Sequence, residues 1–519
     1  MTRDATVVGA GLAPARAARS IRAGERIHVV GAAGAGASAA ALLALRGGAV
    51  VTACDPGGPS PYTPALDAAG VAVAPSHDPR HVRTVPPPDR LAVTKALTAV
   101  APDHPELVAA REAGIAVEPW QQVVADAAVG RTLVAIAGTH GKSTTAGWLV
   151  HVLAEAGEDP SAFVGALLAP ELAGGIPATA RSGRGSAFIV EADEYAGNFD
   201  AYRPDVTALT SVEWDHPDVF ADRAAVEDAF ERWIRAAGSG RTLVANVGDE
   251  GTVAVLERLG PGWQGRVIAV ALVGAPAQRI GGFGRGMSER FATAAGPARA
   301  ILGRIRGSDP DDTELEIHGL DELAGPIAVR LPTAGRHNAA NALGVVGAAF
   351  ALGVEPRAIL SGLASFRGVG RRLERKGEAR DVIVYDDYGH HPTAIRETIA
   401  AVRQREPDRR VWAVYEPLTF HRTAALLEPF ADALAMADGV AIADIWAGRD
   451  PDTTVATSAG LAEAVVRRGR GIPVAAPGSV ESTASWLAGE VRPGDVVLVM
   501  GGGRSYRIGE LLLEALERA

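Results

Sequence analysis

One segment of this 519-residue chain carries side chains that could hold a polyphosphate. Residues 132–145 read TLVAIAGTHGKSTT: an apolar run leads into a loop bounded by Gly138 and Gly141, and a helical pattern follows. Loop glycines let backbone N–H groups point at an anion, the helix N-terminus presents more of them, and Lys142 adds a positive charge. Ser143 stands where P-loops place the hydroxyl that ligates Mg²⁺. The segment therefore predicts a nucleotide site, although its two glycines lie closer together than in the usual P-loop.

Charged side chains follow two further predicted strands. Glu191 ends the apolar run 187–190, and His216 comes shortly after the run 206–210. Open α/β sheets bind ligands beyond the carboxyl ends of their strands, so both side chains are expected near the phosphate loop. Glu191 is a candidate Mg²⁺ ligand opposite Ser143, and His216 is a candidate ligand for a metal or a phosphate. A solvated acidic loop and an ordinary loop histidine are the alternatives at these two positions.

A second glycine loop lies closer to the N-terminus. Gly31, Gly34 and Gly36 follow a β-prone run that begins at Arg26, and an alanine-rich helical pattern comes next. Such a turn lets a diphosphate approach a helix N-terminus, and Asp55 ends the following strand, where these folds place an acid that binds ribose. The spacing is not G-x-G-x-x-G, so NAD(P), another diphosphate ligand and a purely structural turn all remain open from these residues.

The elements that must position these residues alternate between strands and helices along the whole chain. A chain of this length suggests about three domains of roughly 150 residues each. Short β-prone runs followed by helical patterns predict an α/β fold with three doubly wound domains, Rossmann-like or of the P-loop type, in series. We place them at residues 1–130, 131–331 and 332–519, with residues 1–24 as a loose extension. Residues 260–325 show little periodicity and carry no predicted function.

Composition and net charge indicate the class of partner and the cellular compartment to expect. Hydrophobic residues make up 47% of the chain, which is ample for buried cores, and the formal net charge is −10. This charge argues against nucleic acid as a general partner. Cys54 is the single cysteine, so no internal disulfide can form, and no apolar run approaches the roughly 18 residues of a membrane span. We therefore expect a cytoplasmic protein that does not enter the membrane.

Seven motifs in a fixed order resemble those of the Mur ligase family, the ATP-dependent amide-forming enzymes of peptidoglycan synthesis. The resemblance extends over residues 26–515. The motifs are GTHGKSTT (138–145), EADE (191–194), WDH (214–216), GRHNAANAL (335–343), FRGVGRRLE (366–374), DDYGHHPTAI (386–395) and VVLVMGGG (496–503).

The resemblance implies a role for each domain. The N-terminal domain would bind the UDP part of a UDP-sugar and not NAD, the middle domain would bind ATP with Mg²⁺, and the C-terminal domain would complete the site. The implied UDP-sugar-binding residues are Gly31, Gly34, Gly36, Ser38, Asp55 and His77. The implied ATP-binding residues are Gly138, Thr139, His140, Gly141, Lys142, Ser143, Thr144, His337, Asn341, Arg372 and Asp387. The implied metal ligands are Ser143, Glu191 and His216, the residues facing the amine substrate are His390 and Arg422, and the implied catalytic residues are Lys142, His216, Arg372, Asp387 and His390.

Members of the family attach a particular amino acid or peptide to a UDP-muramyl carboxylate through an acyl phosphate. The motifs favour a ligase that joins L-alanine to UDP-N-acetylmuramate, and the alternative is a muropeptide-recycling ligase that attaches a tripeptide to the same acceptor. Arg422 matches an arginine of the alanine-adding members, whereas Thr419 replaces another. Glu416 and Pro417 are more similar to the recycling members. Ala33 stands where the alanine-adding members have a loop glycine.

Two interpretations from other classes compete with a ligase. A nicotinamide-dependent oxidoreductase would use the first glycine loop but leave GTHGKSTT without a role. A catalytically inactive Mur-like binding protein would keep the fold and lose the phosphate chemistry, yet Lys142, Ser143, Glu191 and His216 are all present. We expect an active enzyme, as a monomer or a homodimer.

Overall fold

The computed structural model describes residues 5–274, 277–320, 325–448, 450 and 452–518, and it contains three sheets in chain order. Parallel strands dominate each sheet, with helices on both faces. The predicted α/β class with three doubly wound domains is confirmed. No helix among the described residues combines the length and the apolar composition needed to cross a membrane.

The N-terminal sheet has five parallel strands in the order β3-β2-β1-β4-β5. Its strands are β1 (Arg26–Val30), β2 (Val50–Cys54), β3 (Val73–Ala74), β4 (Arg90–Val93) and β5 (Ala116–Pro119). Its helices are α1 (Ala5–Val8), α2 (Ala35–Arg46), α3 (Thr63–Ala68), α4 (Lys95–Thr98), α5 (Pro105–Glu112) and α6 (Trp120–Ala127), and a 3₁₀ turn spans Pro79–His81. The alanine-rich α2 is buried along most of its length, because small side chains let it pack between the sheet and the middle domain.

The middle sheet has ten strands in the order β15-β14-β13-β12-β11-β10-β6-β9-β7-β8. Its strands are β6 (Thr132–Ala137), β7 (Ser161–Leu168), β8 (Ala178–Arg181), β9 (Ala187–Ala192), β10 (Val206–Leu209), β11 (Thr242–Asn246), β12 (Arg266–Leu272), β13 (Arg299–Ser308), β14 (Thr313–His318) and β15 (Ile327–Leu331). Its helices are α7 (Lys142–Glu155), α8 (Pro170–Ala173), α9 (Arg223–Ala236), α10 (Glu250–Leu259), α11 (Ala277–Arg290), α12 (Arg336–Ala351) and α13 (Pro356–Ser365), with a 3₁₀ segment at Tyr195–Ala201. Strands β14, β15 and β8 are antiparallel additions at the two edges.

The C-terminal sheet has six strands in the order β16-β17-β21-β18-β19-β20, and β16 is its antiparallel edge. Its strands are β16 (Glu374–Ala379), β17 (Val382–Asp387), β18 (Arg410–Glu416), β19 (Gly439–Ala443), β20 (Val474–Gly478) and β21 (Asp495–Gly501). Its helices are α14 (Pro392–Arg405), α15 (Phe420–Ala425), α16 (Leu427–Leu434), α17 (Ser458–Val466), α18 (Val480–Glu490) and α19 (Tyr506–Arg518).

Helices α12 and α13 pack on the middle domain, although the predicted boundary at residue 331 assigns them to the third domain. A Cβ at Gly347 would lie 2.4 Å from Val244 of β11, and a Cβ at Gly362 would lie 2.8 Å from the backbone of Val152 in α7. Glycine at these two positions lets the helices approach closely. Residues of both helices and Val369 belong to one hydrophobic cluster with strands of the middle sheet, and the domain boundary at residue 331 stays a prediction.

The described part of the N-terminal extension forms hydrogen bonds and ion pairs with the first domain. This differs from the loose segment expected for residues 1–24. The Ala13 N–H donates to the Val117 carbonyl at 2.7 Å. Arg16 forms ion pairs with Glu118 and Asp126. Residues 1–4 of this prediction lie outside the described residues. The sequence of this low-complexity segment did not indicate which acidic residues its arginines would contact.

A buried arginine completes the same charge cluster and provides a test of its contribution to stability. Arg90 lies 3.2 Å from Glu25, 2.9 Å from Glu118 and 2.6 Å from Asp126. We expect Arg90→Met to lower the free energy of unfolding by up to about 3–5 kcal/mol, because the three buried carboxylates then keep only the partly exposed Arg16 and Arg19 as partners. Urea unfolding measures the change. The control is Arg80→Met, since the Arg80 side chain is 85% exposed and its loss is expected to cost less than about 0.5 kcal/mol. Equal effects of both substitutions would contradict this role.

Candidate active site

The loop between β6 and α7 has a backbone shape that requires its glycines. Gly138 has φ +127° and Gly141 has φ +79°, conformations that L side chains rarely adopt. A Cβ at Gly138 would lie 2.7 Å from the Ser211 carbonyl oxygen, and one at Gly141 would lie 2.3 Å from Asn341 Oδ1. The loop is therefore closely packed against the segment after β10 and against α12.

The backbone of the same loop and the Thr139 side chain are hydrogen-bonded to the segment that follows β10. The Thr139 N–H donates to the Ser211 carbonyl at 2.8 Å, and Thr139 Oγ1 accepts from the Glu213 N–H at 2.8 Å. The His140 N–H donates to Ser211 Oγ at 3.0 Å. Thr144, on the first turn of α7, shares the wall of a cavity with His140. These bonds fix the conformation of the loop.

Lys142 is the first residue of α7 and folds back over the loop. Its Nζ donates to the Gly138 carbonyl at 2.6 Å and lies 3.2 Å from Glu194 Oε2. Burial by itself lowers the pKa of Lys142, but the charges of Glu194, Asp193 and Glu191 outweigh it and the pKa is raised. The lysine is therefore a permanent cation at the mouth of the loop.

Ser143 connects residues of two domains. Its Oγ donates to Glu191 Oε1 at 3.0 Å and accepts from Arg372 Nη2 at 2.8 Å. The second carboxylate oxygen of Glu191 accepts from the Gly165 N–H at 2.7 Å. The hydroxyl and the carboxylate that were predicted to face each other are thus in contact, and an arginine from the third domain reaches the same hydroxyl.

His216 lies in a buried charge cluster between the middle and third domains. Its Nε2 is 3.7 Å from Glu194 Oε1, and its Nδ1 is 2.9 Å from Arg422 Nη2. Arg422 Nε donates to Asp215 Oδ1 at 2.7 Å. Burial raises the pKa of Asp215, but the charges of Arg422 and His216 outweigh it and hold the pKa well below its usual range. His216 has φ +55°, a conformation of the kind that clusters at functional sites.

Two predicted residues of the third domain stand at the end of β17. The oxygens of Asp387 accept from the Leu373 N–H at 2.8 Å and from the Gly389 N–H at 2.7 Å, so this carboxylate holds the loop that carries Arg372. His390 Nδ1 is 2.9 Å from the Tyr388 carbonyl. Burial, and after it the charge of Arg422, lower the pKa of His390 well below its usual range, so this imidazole is neutral.

A cavity of about 830 Å³ opens beside the phosphate loop. Its walls come from the loop, from α12 and from the segment before β16, and they include His140, His337, Asn341, Arg372 and Asp387. His337 lies 3.6 Å from Glu397, and Asn341 Nδ2 donates to Asn338 at 3.3 Å. The volume is within the range of small-molecule sites.

The predicted UDP-sugar residues divide into two groups. Gly31, with φ +88°, donates its N–H to the Cys54 carbonyl at 2.9 Å, and Gly34 precedes the first residue of α2. Asp55 Oδ2 accepts from the Ala33 N–H at 2.9 Å, so this carboxylate helps to fix the backbone conformation of the loop. These residues form an open turn at a helix N-terminus.

The remaining predicted residues of that domain are engaged elsewhere. Gly36 makes room for the ring of Trp120, because a Cβ there would lie 2.1 Å from it. Ser38 is fully buried and contacts Thr179 of the middle domain at 3.1 Å. His77 Nδ1 lies 3.1 Å from Cys54 Sγ. Their positions therefore give packing roles to Gly36 and Ser38 in this conformation.

Glu194, Asp215 and Arg371 are close to the site but are not among the residues predicted from the sequence. Glu194 contacts both Lys142 and His216, and its place in EADE, at the end of β9, was the available signal. Arg371 turns away from its neighbour Arg372, and pairs with Asp386 at 3.1 Å. No spacing rule could have separated the two adjacent arginines.

Comparison with known proteins decides the family. Three protein-family models match the chain: "Mur ligase family, catalytic domain" over residues 26–132, "Mur ligase middle domain" over 136–270, and "Mur ligase, glutamate ligase domain" over 371–503. The chain belongs to the Mur ligase family. The resemblance predicted from the seven motifs is confirmed.

Mur ligases similar to this chain come from several bacteria. The UDP-N-acetylmuramate–L-alanine ligase of Mycobacterium sp. (strain JLS) is 35% identical over 500 residues, with 95% of each chain covered. The solved structure of the UDP-N-acetylmuramate–alanine ligase from Thermotoga maritima has a TM-score of 0.73 at 21% identity, covering 95% of this chain and 99% of that one. A murein peptide ligase from Psychrobacter arcticus has a TM-score of 0.69 at 23% identity, covering 96% and 99%. The two structures show the shared fold.

Proposed function

We propose that this Mur ligase joins L-alanine to the carboxyl group of UDP-N-acetylmuramate, using ATP and forming ADP. The observation that carries the proposal is full-length similarity to a relative with that name, 35% identical over 95% of both chains. The cytoplasm, which supplies both ATP and UDP-sugars, is the proposed location. The chemistry is transfer of the γ-phosphoryl group to the sugar carboxylate, followed by attack of the amine on the acyl phosphate and release of phosphate.

The phosphate loop supports the ATP part of the proposal. Backbone N–H groups at the start of α7 and the Lys142 ammonium would hold the β- and γ-phosphates. Asn341 and His337 line the adjoining cavity, where the rest of the nucleotide would lie. Phosphoryl transfer depends mainly on positioning and on charge stabilisation, so Arg372 at the same loop would stabilise the charge on the transferred group.

The residues around Ser143 fit the Mg²⁺ that the family implies. Ser143 Oγ and Glu191 Oε1 offer two oxygen ligands 3.0 Å apart, and oxygen is the ligand that Mg²⁺ prefers. Asp193, Glu194 and His216 place three further ligand atoms within 4.8 Å of one another. Bound Mg²⁺ would neutralise phosphate charge, and Ser143, Glu191 and His216 are the proposed ligands.

Arg422 and His390 support the amine part of the proposal. Arg422 is buried, and its Nη1 has no hydrogen-bond partner among the described residues, so it can receive the carboxylate of an amino acid. His390 donates its Nδ1–H to the Tyr388 carbonyl, which leaves the Nε2 lone pair as the acceptor. A neutral His390 would take the proton that the amine loses as the amide bond forms.

The first glycine loop is proposed to bind the diphosphate of the UDP-sugar. We expect Gly31→Ala to weaken UDP-N-acetylmuramate binding, because its φ is +88° and the new Cβ would lie 2.4 Å from Thr94. Isothermal titration calorimetry measures the affinity. The matched control is Gly114→Ala, which has φ +70° and open space around it and precedes β5 at the opposite end of the parallel sheet, so it carries similar backbone strain away from the loop. Micromolar binding of NADH to the unaltered protein, or equal losses in both variants, would count against this assignment.

The decisive experiment compares amine substrates. The protein is incubated with ATP, Mg²⁺ and UDP-N-acetylmuramate and with L-alanine, L-serine, glycine or the muropeptide tripeptide, and product mass and ADP release are recorded. The proposal expects the L-alanine adduct to form fastest. Turnover with the tripeptide alone would identify a recycling ligase, in line with Glu416 and Thr419, and no ADP release with any amine would indicate an inactive relative.

A further inference from the structure

A second cluster of metal-ligating side chains lies inside the N-terminal domain, away from the phosphate loop. It contains His28 on β1, Cys54 at the end of β2, His81 on the 3₁₀ turn and Glu106 on α5. One ligand atom from each residue lies within 4.8 Å of the other three. We propose that His28, Cys54, His81 and Glu106 form a binding site for one Zn²⁺ ion.

Four of the six distances between ligand atoms are close to the edges of a tetrahedral zinc site. His28 Nε2 is 3.3 Å from Cys54 Sγ and 3.0 Å from Glu106 Oε1. Glu106 Oε1 is 3.8 Å from Cys54 Sγ and 2.9 Å from His81 Nδ1. A tetrahedral zinc site with usual bond lengths has ligand-to-ligand distances of about 3.3–3.6 Å. Shifts of a few tenths of an ångström bring these four distances into that range, and His81 also has a ligand atom within 4.8 Å of those of His28 and Cys54.

The types of ligand favour zinc over magnesium. A thiolate, two imidazoles and one carboxylate are the ligands of tetrahedral zinc sites, whereas Mg²⁺ prefers oxygen alone. Four chain segments that are distant in sequence supply one ligand each. Such a site cannot exist in the unfolded chain, so metal binding would stabilise the folded domain.

A hydrogen bond outside the cluster orients one of the imidazoles. His28 Nδ1 lies 2.8 Å from Thr52 Oγ1. If Nδ1 carries the proton and donates it to Thr52, Nε2 presents its lone pair to the metal. Ligating histidines commonly have such a partner at the second nitrogen.

The cluster is deeply buried, with His81 at its edge. His28, Cys54 and Glu106 are almost fully buried, while the His81 side chain is 21% exposed. Burial of these polar groups is costly unless each is paired or bound to a metal. Zinc binds the thiolate form of cysteine, so binding would release the Cys54 thiol proton into solvent.

The proposed zinc site would stabilise the glycine loop that is proposed to bind the UDP-sugar. The Cys54 carbonyl accepts from the Gly31 N–H at 2.9 Å and from the Ala32 N–H at 3.2 Å. Fixing Cys54 would therefore restrain the first glycine loop. The zinc site itself does not depend on the proposed ligase activity, so its test uses metal binding alone.

Cobalt absorption spectroscopy tests the proposal on the whole chain. The purification tag is removed, metals are stripped with a chelator, Mg²⁺ is added in excess to fill oxygen-rich sites, and Co²⁺ is titrated in. We expect one equivalent of tetrahedral Co²⁺ with a thiolate charge-transfer band, which Zn²⁺ then abolishes. Because Cys54 is the single cysteine, this band can come from no other residue.

The zinc affinities of substituted proteins distinguish the proposed zinc ligands from residues that only lie near them. Cys54→Ser is expected to remove the charge-transfer band, and His81→Ala to weaken zinc binding by more than the roughly 10–100-fold that loss of an outer hydrogen-bond partner costs. Thr52→Val should weaken binding by about that 10–100-fold. The matched control is His318→Ala, since the His318 side chain is 18% exposed, much like that of His81, and pairs with Glu316 on β14 of the middle domain, and its zinc affinity should be unchanged.

Two results would overturn the site. A wild-type cobalt spectrum without the thiolate band would show that hydrogen bonds alone hold the cluster, whatever the variants do. Equal zinc affinity in wild type, His81→Ala and His318→Ala would show that any bound metal lies elsewhere. If Cys54→Ser fails to fold, the wild-type spectrum and the His81 and His318 variants still decide.

Discussion

Replacing Lys142 by alanine is expected to lower the rate of ADP release by at least about 10²–10³-fold while the protein stays folded. The lysine extends over the loop from the first turn of α7, where it would contact the phosphates. Loss of a preorganised charge contact to the transferred group removes stabilisation of the transition state. Coupled-enzyme detection of ADP, with saturating UDP-N-acetylmuramate and L-alanine, measures the effect.

The fold should tolerate this substitution because of the protonation behaviour of Glu194. Burial raises the pKa of Glu194 to about 7 even though the neighbouring Lys142 lowers it. Without the lysine, the pKa of Glu194 rises further and the carboxyl group becomes neutral near pH 7, so no uncompensated charge is left buried. Circular dichroism and the melting temperature check that the variant is folded.

Lys376→Ala is the matched control for Lys142→Ala. Lys376 lies on β16 in the wall of the same cavity and pairs with Glu374 at 3.3 Å. Its loss removes the same charge at a greater distance from the loop, and we expect turnover to change less than about threefold, as for a surface pair. A folded Lys142→Ala enzyme that releases ADP as fast as Lys376→Ala would remove Lys142 from the mechanism.

The local parts of the site could be predicted from the sequence because their chemistry depends on neighbouring residues. An apolar run, two glycines, a lysine and a hydroxyl residue define a strand, a loop and a helix N-terminus without knowledge of the rest of the fold. The contact of Ser143 with Glu191 could be inferred as well, since Ser143 follows β6, Glu191 lies at the carboxyl end of β9, and the two strands are parallel neighbours.

Long-range partners could not be predicted from periodicity. Helix α12 is apolar on most sides, so its pattern did not show which sheet it would cover, and the structure places it on the middle domain. Arg371 and Arg372 are adjacent and chemically equal, yet one is buried against Asp386 and the other reaches Ser143. The convergence of His28, Cys54 and Glu106 required the three-dimensional arrangement of separate elements.

The second large effect is expected for Arg372→Ala, which should lower turnover by about 10²-fold or more and leave UDP-N-acetylmuramate affinity unchanged. Arg372 belongs to the segment before β16, and its Nη2 is 2.8 Å from Ser143 Oγ of the middle domain. The UDP-sugar is proposed to bind the first domain, so the guanidinium would contribute only when the third domain meets the phosphate loop. Steady-state kinetics and calorimetry separate turnover from affinity.

The matched control for Arg372→Ala is Arg375→Ala. Arg375 lines the same cavity, but it pairs with Glu378 within the third domain and the pair is exposed. Its replacement removes the same charge without removing a contact between domains, so turnover should change less than about threefold. Similar losses in both variants would show that the general positive charge of the cavity, and not the contact with Ser143, supports turnover.

The same contact predicts that ligands favour a closed arrangement of the domains. Further polar pairs join the middle and third domains, among them Thr393 with Glu213 at 2.7 Å, His391 with the Trp214 carbonyl at 3.3 Å, and Arg422 with Asp215 at 2.7 Å. Polar contacts of this kind are compatible with relative motion of the domains, which we expect without ligands, and ATP bound between the loop and Arg372 would favour the closed form by its contacts to both sides. Small-angle scattering should show a smaller radius of gyration with an ATP analogue and UDP-N-acetylmuramate, and the decrease should be lost in Arg372→Ala but kept in Arg375→Ala. Identical radii with and without ligands in the unaltered protein would show that closure does not assemble the site.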